Sequence, residues 1–79
     1  MAFSYSKLNP LAQDLMRADE GSVGLDISST VNTVIEPGHR CVIPTGIQLH
    51  IPVGMYARVA ERSGLAAYYG ITIGGGTLV

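Results

Sequence analysis

Arg62-Ser63-Gly64-Leu65-Ala66 follows the run Met55-Tyr56-Ala57-Arg58-Val59-Ala60, and this junction decides the fold. The six-residue run reads as a strand, and the next five residues read as a turn that opens a short helix. An arginine, a hydroxyl and a glycine in sequence make a compact anion site. The guanidinium is a planar fork of donors suited to phosphate. Ser63 adds a hydroxyl and a backbone N–H, and Gly64 lets a bulky anion approach without meeting a Cβ. At a helix start the N–H groups point outward and favour negative charge. Taken alone, the same five residues read more readily as an ordinary surface loop, because Arg-Ser-Gly recurs by chance in such loops.

Composition narrows the class. Seventy-nine residues make one domain at most, and the sequence predicts a single domain over 1–79. The chain is 47% hydrophobic and 14% charged, which argues against disorder and predicts apolar surface that partner subunits or further chain would cover. Five Lys and Arg stand against six Asp and Glu, without a basic patch, so a nucleic-acid polymer is not an expected partner. No apolar run approaches the length of a membrane span, and the N-terminus lacks the apolar stretch of a secretion signal. A single Cys41 excludes an internal disulfide and fits a reducing compartment. In its apolar run it reads as a buried small side chain rather than a nucleophile. The expected location is cytoplasmic or nuclear, a virus-encoded protein in a host cell included.

Along the chain, Leu8, Leu11, Ala12 and Leu15 recur at helical spacing, and Asn9-Pro10 supplies an N-cap and a first-turn proline. Beyond residue 21 the pattern is all-β. Residues 31–35 read as a strand bounded by Pro37-Gly38. Cys41, Ile43, Ile47, Leu49 and Ile51 face one way, with Gln48 and His50 opposite. Pro44-Thr45-Gly46 predicts a kink, Pro52-Val53-Gly54 a turn, and residues 55–60 and 71–73 strands. Turns at this spacing suit a sandwich or jelly roll.

Several groups are candidates for chemistry. Asp26, in Gly24-Leu25-Asp26, is either a turn cap or an acceptor for Arg62 or a metal-bound water. Gly74-Gly75-Gly76 is not a P-loop, because no Lys-Ser/Thr follows. It reads as a hairpin or strand end that uses glycine for positive φ. His39 and His50 lack metal-ligand spacing, so no protein-held metal is expected. Arg40 and Arg58 read as surface or interface groups on the polar faces of strands, and Tyr68 and Tyr69 as packing or interface residues.

The ordered series Gly21-Ser22-Val23-Gly24-Leu25-Asp26-Ile27, Ile35-Glu36-Pro37-Gly38, Pro44-Thr45-Gly46-Ile47, Arg62-Ser63-Gly64-Leu65-Ala66 and Gly70-Ile71-Thr72-Ile73-Gly74-Gly75-Gly76 resembles the trimeric dUTPase family, from about Leu8 to Val79. The resemblance implies an all-β, distorted jelly-roll or β-clip-like fold, incomplete here, with a short turn of helix after Arg62. Near residue 8 it implies extended chain with a brief turn. It implies hydrolysis of dUTP to dUMP and pyrophosphate by water attacking the α-phosphorus, Mg²⁺ carried on the triphosphate, and a homotrimer with active sites between subunits.

By the same resemblance Asp26 organises the site, Ser63 contacts the region between the α- and β-phosphates, and Arg62 and Gly64 complete the phosphate contacts. Gly74, Gly75 and Gly76 lead into a hairpin that recognises uracil. The chain departs from the family at three places. Val23 and Glu61 stand where the family has alanine and often proline, and a carboxylate at Glu61 would repel phosphate unless turned away. Val79 falls at the aspartate that activates water, and valine accepts no proton. Three readings follow: the N-terminal part of a dUTPase interrupted in its third motif, a non-catalytic interaction module derived from one, or a member of the related dCTP deaminase branch, which the motifs fit less well.

Overall fold

A computed structural model describes residues 4–21 and 23–78 of the chain. Its elements, in order, are β1 (Ser4–Lys7), β2 (Ile47–His50), β3 (Ala57–Arg58), α1 (Ser63–Tyr69) and β4 (Thr77–Leu78). The fold is all-β with one short helix, and that helix begins directly after Arg62 as the sequence predicts. Two compact units divide the chain: residues 5–49 form one, and Ser4 with the chain from His50 onward forms the other.

In the first unit, β1 and β2 make a two-stranded sheet. Ile47 and Leu49 are half-buried while Gln48 and His50 are exposed, the alternation read from the sequence. Pro44-Thr45-Gly46 does kink the chain: Gly46 takes φ +66°, and the Leu8 N–H donates to its carbonyl at 2.8 Å. A Cβ on Gly46 would stand 2.9 Å from the Ala12 Cβ and 3.0 Å from Asn9 Nδ2. Ala12 is the one buried side chain among the described residues, so the tightest packing lies where Gly46 meets residues 9–12. Thr30 closes the same region, its N–H and its hydroxyl both donating to the Pro44 carbonyl, at 2.9 and 3.1 Å.

Three sequence expectations for this unit do not hold. The helical spacing at Leu8, Leu11, Ala12 and Leu15 produces no helix. Asn9 Oδ1 accepts from the Leu11 N–H at 3.0 Å, and the Asn9 carbonyl accepts from Ala12, so a local turn takes the groups a helix would need. The brief turn implied by the resemblance is what forms. Residues 31–35 are not a strand, because no strand pairs with them among the described residues, and Val34 is 80% exposed. Cys41 is exposed rather than buried, since residues 39–44 likewise lie outside any ladder. The Pro37-Gly38 turn forms as expected, with Gly38 at φ +76° and the His39 N–H donating to the Glu36 carbonyl.

In the second unit, the Pro52-Val53-Gly54 turn is closed by the Met55 N–H on the Pro52 carbonyl, with Gly54 at φ +83°. The strand expected over 55–60 shortens to β3, which pairs antiparallel with β4, Ala57 opposite Leu78 and Arg58 opposite Thr77. The strand expected over 71–73 does not form, because the ladder to β3 is taken by β4 instead. The helix α1 ends at Gly70, whose left-handed backbone (φ 67°, ψ 25°) lets its N–H reach the Ala66 carbonyl while the Ile71 N–H reaches that of Leu65.

Candidate functional site

The β3–α1 junction places the first group of candidates. Arg62 is the N-cap of α1, extended at φ −73° and ψ 129°, and its carbonyl accepts from the Ala66 N–H at 3.0 Å. Ser63 and Gly64 are the first two helical residues, and both are exposed. The first N–H groups of a helix have no intrahelical acceptor. No side chain caps these, because Arg62 carries only donors. A Cβ on Gly64 would meet nothing within 4 Å, so the space over this glycine is open. Arg62, Ser63 and Gly64 therefore stand together as one exposed set of donors.

Beside this junction lies a groove of about 340 Å³ lined by Tyr56, Arg58, Val59, Glu61, Ile73 and Gly76. Glu61 precedes the N-cap. Its carboxyl is held below the ordinary glutamate value, first by its own backbone N–H, then by that of Ile73, with the Arg58 charge adding to both. Sequence reasoning treated Glu61 as a source of repulsion only, and missed Tyr56 and Ile73 as members of the groove. Strand-period patterning places side chains on faces but cannot say which distant residue closes against them.

The glycine run serves the backbone. Gly75 takes φ +66°, the positive φ expected for a strand end. The Val59 N–H donates to the Gly76 carbonyl at 2.7 Å, and a Cβ on Gly76 would strike the Val59 carbonyl. Gly74 faces open space. Arg58 is exposed on β3, on the polar side as the sequence suggested.

Asp26 lies in the other unit. It is bound through its backbone, which exchanges two hydrogen bonds with Met16: Asp26 N–H to the Met16 carbonyl at 2.6 Å, and Met16 N–H to that of Asp26 at 3.3 Å. That isolated antiparallel bridge, rather than a capped turn, fixes its position, and its side chain is half-buried. Val79, the residue at the water-activating position of the resemblance, lies outside the described residues. Among the described residues no group of three or more His, Cys, Asp or Glu side chains could hold a metal ion, and no helix is long and apolar enough to cross a membrane.

The described chain is thus an all-β scaffold with an exposed Arg-Ser-Gly helix start and a glycine run whose Gly76 carbonyl is bonded by Val59 of the strand side. The dUTPase family model matches residues 11–78, and the chain belongs to that family. It is 38% identical over 74 residues to a deoxyuridine 5'-triphosphate nucleotidohydrolase of Avian adenovirus 8, covering 94% of this chain and 45% of that protein. It is 40% identical over 73 residues to the enzyme of that name from Rhodococcus erythropolis, covering 92% and 44%. With that of Paramecium bursaria Chlorella virus 1 it shares 43% over 72 residues, covering 91% and 51%. The chain thus spans about half the length of the relatives it matches.

Proposed function

We propose that this chain supplies phosphate- and base-binding framework for a dUTP diphosphatase, the hydrolysis of dUTP to dUMP and pyrophosphate. The observation that carries the reading is the exposed Arg62-Ser63-Gly64 set with open space over Gly64, in a chain of the dUTPase family. Arg62 binds the phosphates through its guanidinium. The Ser63 hydroxyl and the uncapped N–H groups orient the α- and β-phosphates, and Gly64 leaves them room. Asp26 organises the site, and residues 74–76 lead the backbone toward the uracil edge. Mg²⁺, which prefers hard oxygen ligands, rides on the triphosphate, where it neutralises charge and fixes phosphate geometry. The two units belong to one domain. The assembly is a homotrimer, which also covers exposed apolar side chains, and it acts in the cytoplasm or nucleus, an infected cell included.

Two features favour a second reading. Val79 takes the place of the water-activating aspartate and accepts no proton, and Tyr68 and Tyr69 are 84% and 75% exposed. Both suit a non-catalytic interaction module derived from a dUTPase. Pyrophosphate release from dUTP with Mg²⁺, against dCTP, dTTP and UTP, tests the pair, with circular dichroism and dUTP binding measured on the same sample. Selective turnover supports the enzyme. Selective binding without turnover supports a framework that lacks its base. A folded chain that neither binds nor turns over dUTP removes the first reading and leaves the module.

A further inference from the structure

A series of contacts in the first unit leads from β1 to Asp26. Tyr5 and Lys7 alternate with Ser6 along β1 and so share one face of the strand. Both meet the same oxygen: the Tyr5 hydroxyl donates to Asp14 Oδ1 at 2.9 Å, and Lys7 Nζ stands 3.4 Å from it. Asp14 sits midway between the buried Ala12 and Met16, in a stretch that belongs to no strand or helix. Met16 in turn exchanges two backbone hydrogen bonds with Asp26. We propose that Asp14 is a positioning residue: its carboxylate fastens the 14–16 segment to β1, and that segment carries the bridge that sets the place of Asp26. An isolated bridge has no neighbouring rungs to support it, so it depends on how each side is held from outside. Of the two contacts to Asp14, the hydroxyl matters more. The Lys7 and Asp14 side chains are 46% and 60% exposed, and an ion pair so open to water contributes little. Tyr5 is half-buried, and its rigid ring presents the hydroxyl at low entropic cost. That a displaced Asp26 weakens substrate binding rests on the dUTP reading. The tie itself does not.

The test is amide hydrogen exchange, followed by NMR, on the whole 79-residue chain and its variants. The Met16 and Asp26 amides are expected to be protected in the wild type. Asp14→Ala is expected to speed their exchange roughly three- to tenfold. The Leu8 amide, bonded to the Gly46 carbonyl in the same unit, keeps its rate. Tyr5→Phe reproduces most of the effect alone and adds little in an Asp14→Ala background, because both changes remove one contact. Asp14→Asn, which keeps an acceptor for the hydroxyl, restores most of the protection. Unchanged rates at Met16 and Asp26 in Asp14→Ala overturn the proposal, and so does an equal loss at Leu8, the mark of a general loosening. A wild-type chain in which neither amide is protected, an unfolded one included, counts the same way. In parallel, Asp14→Ala is expected to weaken dUTP binding roughly threefold. If it loosens the bridge yet binds dUTP as well as the wild type, the positioning role is overturned. If exchange behaves as expected but the wild-type chain has no affinity for dUTP, the tie stands and the dUTP reading fails.

Discussion

Gly46 and Gly38 both sit at positive φ, but only Gly46 is crowded, by Ala12, Asn9 and Thr30. A Gly38→Ala change therefore costs only the backbone strain, about 1 kcal/mol. Gly46→Ala adds overlap with the Ala12 methyl and is expected to cost roughly 2–3 kcal/mol. Urea midpoints of the two variants check the order, and equal losses would show that the packing around Ala12 is not as described. Gly64 is the opposite case, a helical glycine with open space above it. Gly64→Ala is expected to raise stability by roughly 0.5–1 kcal/mol, yet to reduce dUTP binding by filling the approach to the phosphates. Thermal unfolding and a binding titration on one preparation separate the two effects.

The residue scale also holds a pH prediction. The Tyr5 hydroxyl donates to Asp14 Oδ1 at 2.9 Å, and Lys7 Nζ stands 3.4 Å from the same oxygen. The hydrogen bond first, and the Lys7 charge second, hold the Asp14 carboxyl below its ordinary value of 3.8. Because the folded value is depressed, the contribution of Asp14 to stability is present above the ordinary value and is lost as the pH falls through the lower, folded one. In Tyr5→Phe the Asp14 carboxyl should titrate closer to 3.8, readable from its side-chain carbon shift. An unchanged titration would mean that the hydroxyl does not set it.

Elements differ in how they are held. The helix α1 buries none of its seven residues fully, so its termini matter more than its faces. Gly70→Ala forces a Cβ into the left-handed region and is expected to fray the last turn at a cost of about 1 kcal/mol. Faster exchange of the Gly70 and Ile71 amides would report it. The β3–β4 pair depends instead on close approach. A Gly76→Ala change drives a methyl into the Val59 carbonyl and is expected to separate the strands, seen as loss of protection at the Val59 amide. These elements were legible to different degrees. The helix start after Arg62 and the turns at Gly38, Gly46 and Gly54 follow from local chemistry, and all four form. The strands expected over 31–35 and 71–73 do not, because an extended run becomes a strand only when another run comes alongside to complete its hydrogen bonds.

At the scale of the whole chain, the disproportion is between apolar content and burial. With 47% hydrophobic residues, Ala12 alone is buried among those described, while Val23, Val42 and Val53 are almost wholly exposed. Surfaces of this kind are covered when subunits assemble. If the proposed trimer forms, unfolding midpoints should rise with protein concentration, as mass action requires. Sedimentation across the same range should show the change in mass. Concentration-independent unfolding of a monomer would remove the trimer.

The sequence by itself determined the family, the helix start at Arg62-Ser63-Gly64 and the turns, because these depend on residue type and on neighbours within a few positions. It also determined the in-and-out alternation of β2, since side-chain direction in a strand has a fixed period. Only the tertiary structure decided that β4 rather than residues 71–73 pairs with β3, that Met16 holds Asp26, and that Val59 holds Gly76. Each of those depends on which distant backbone groups come within hydrogen-bond reach, and no local pattern carries that information.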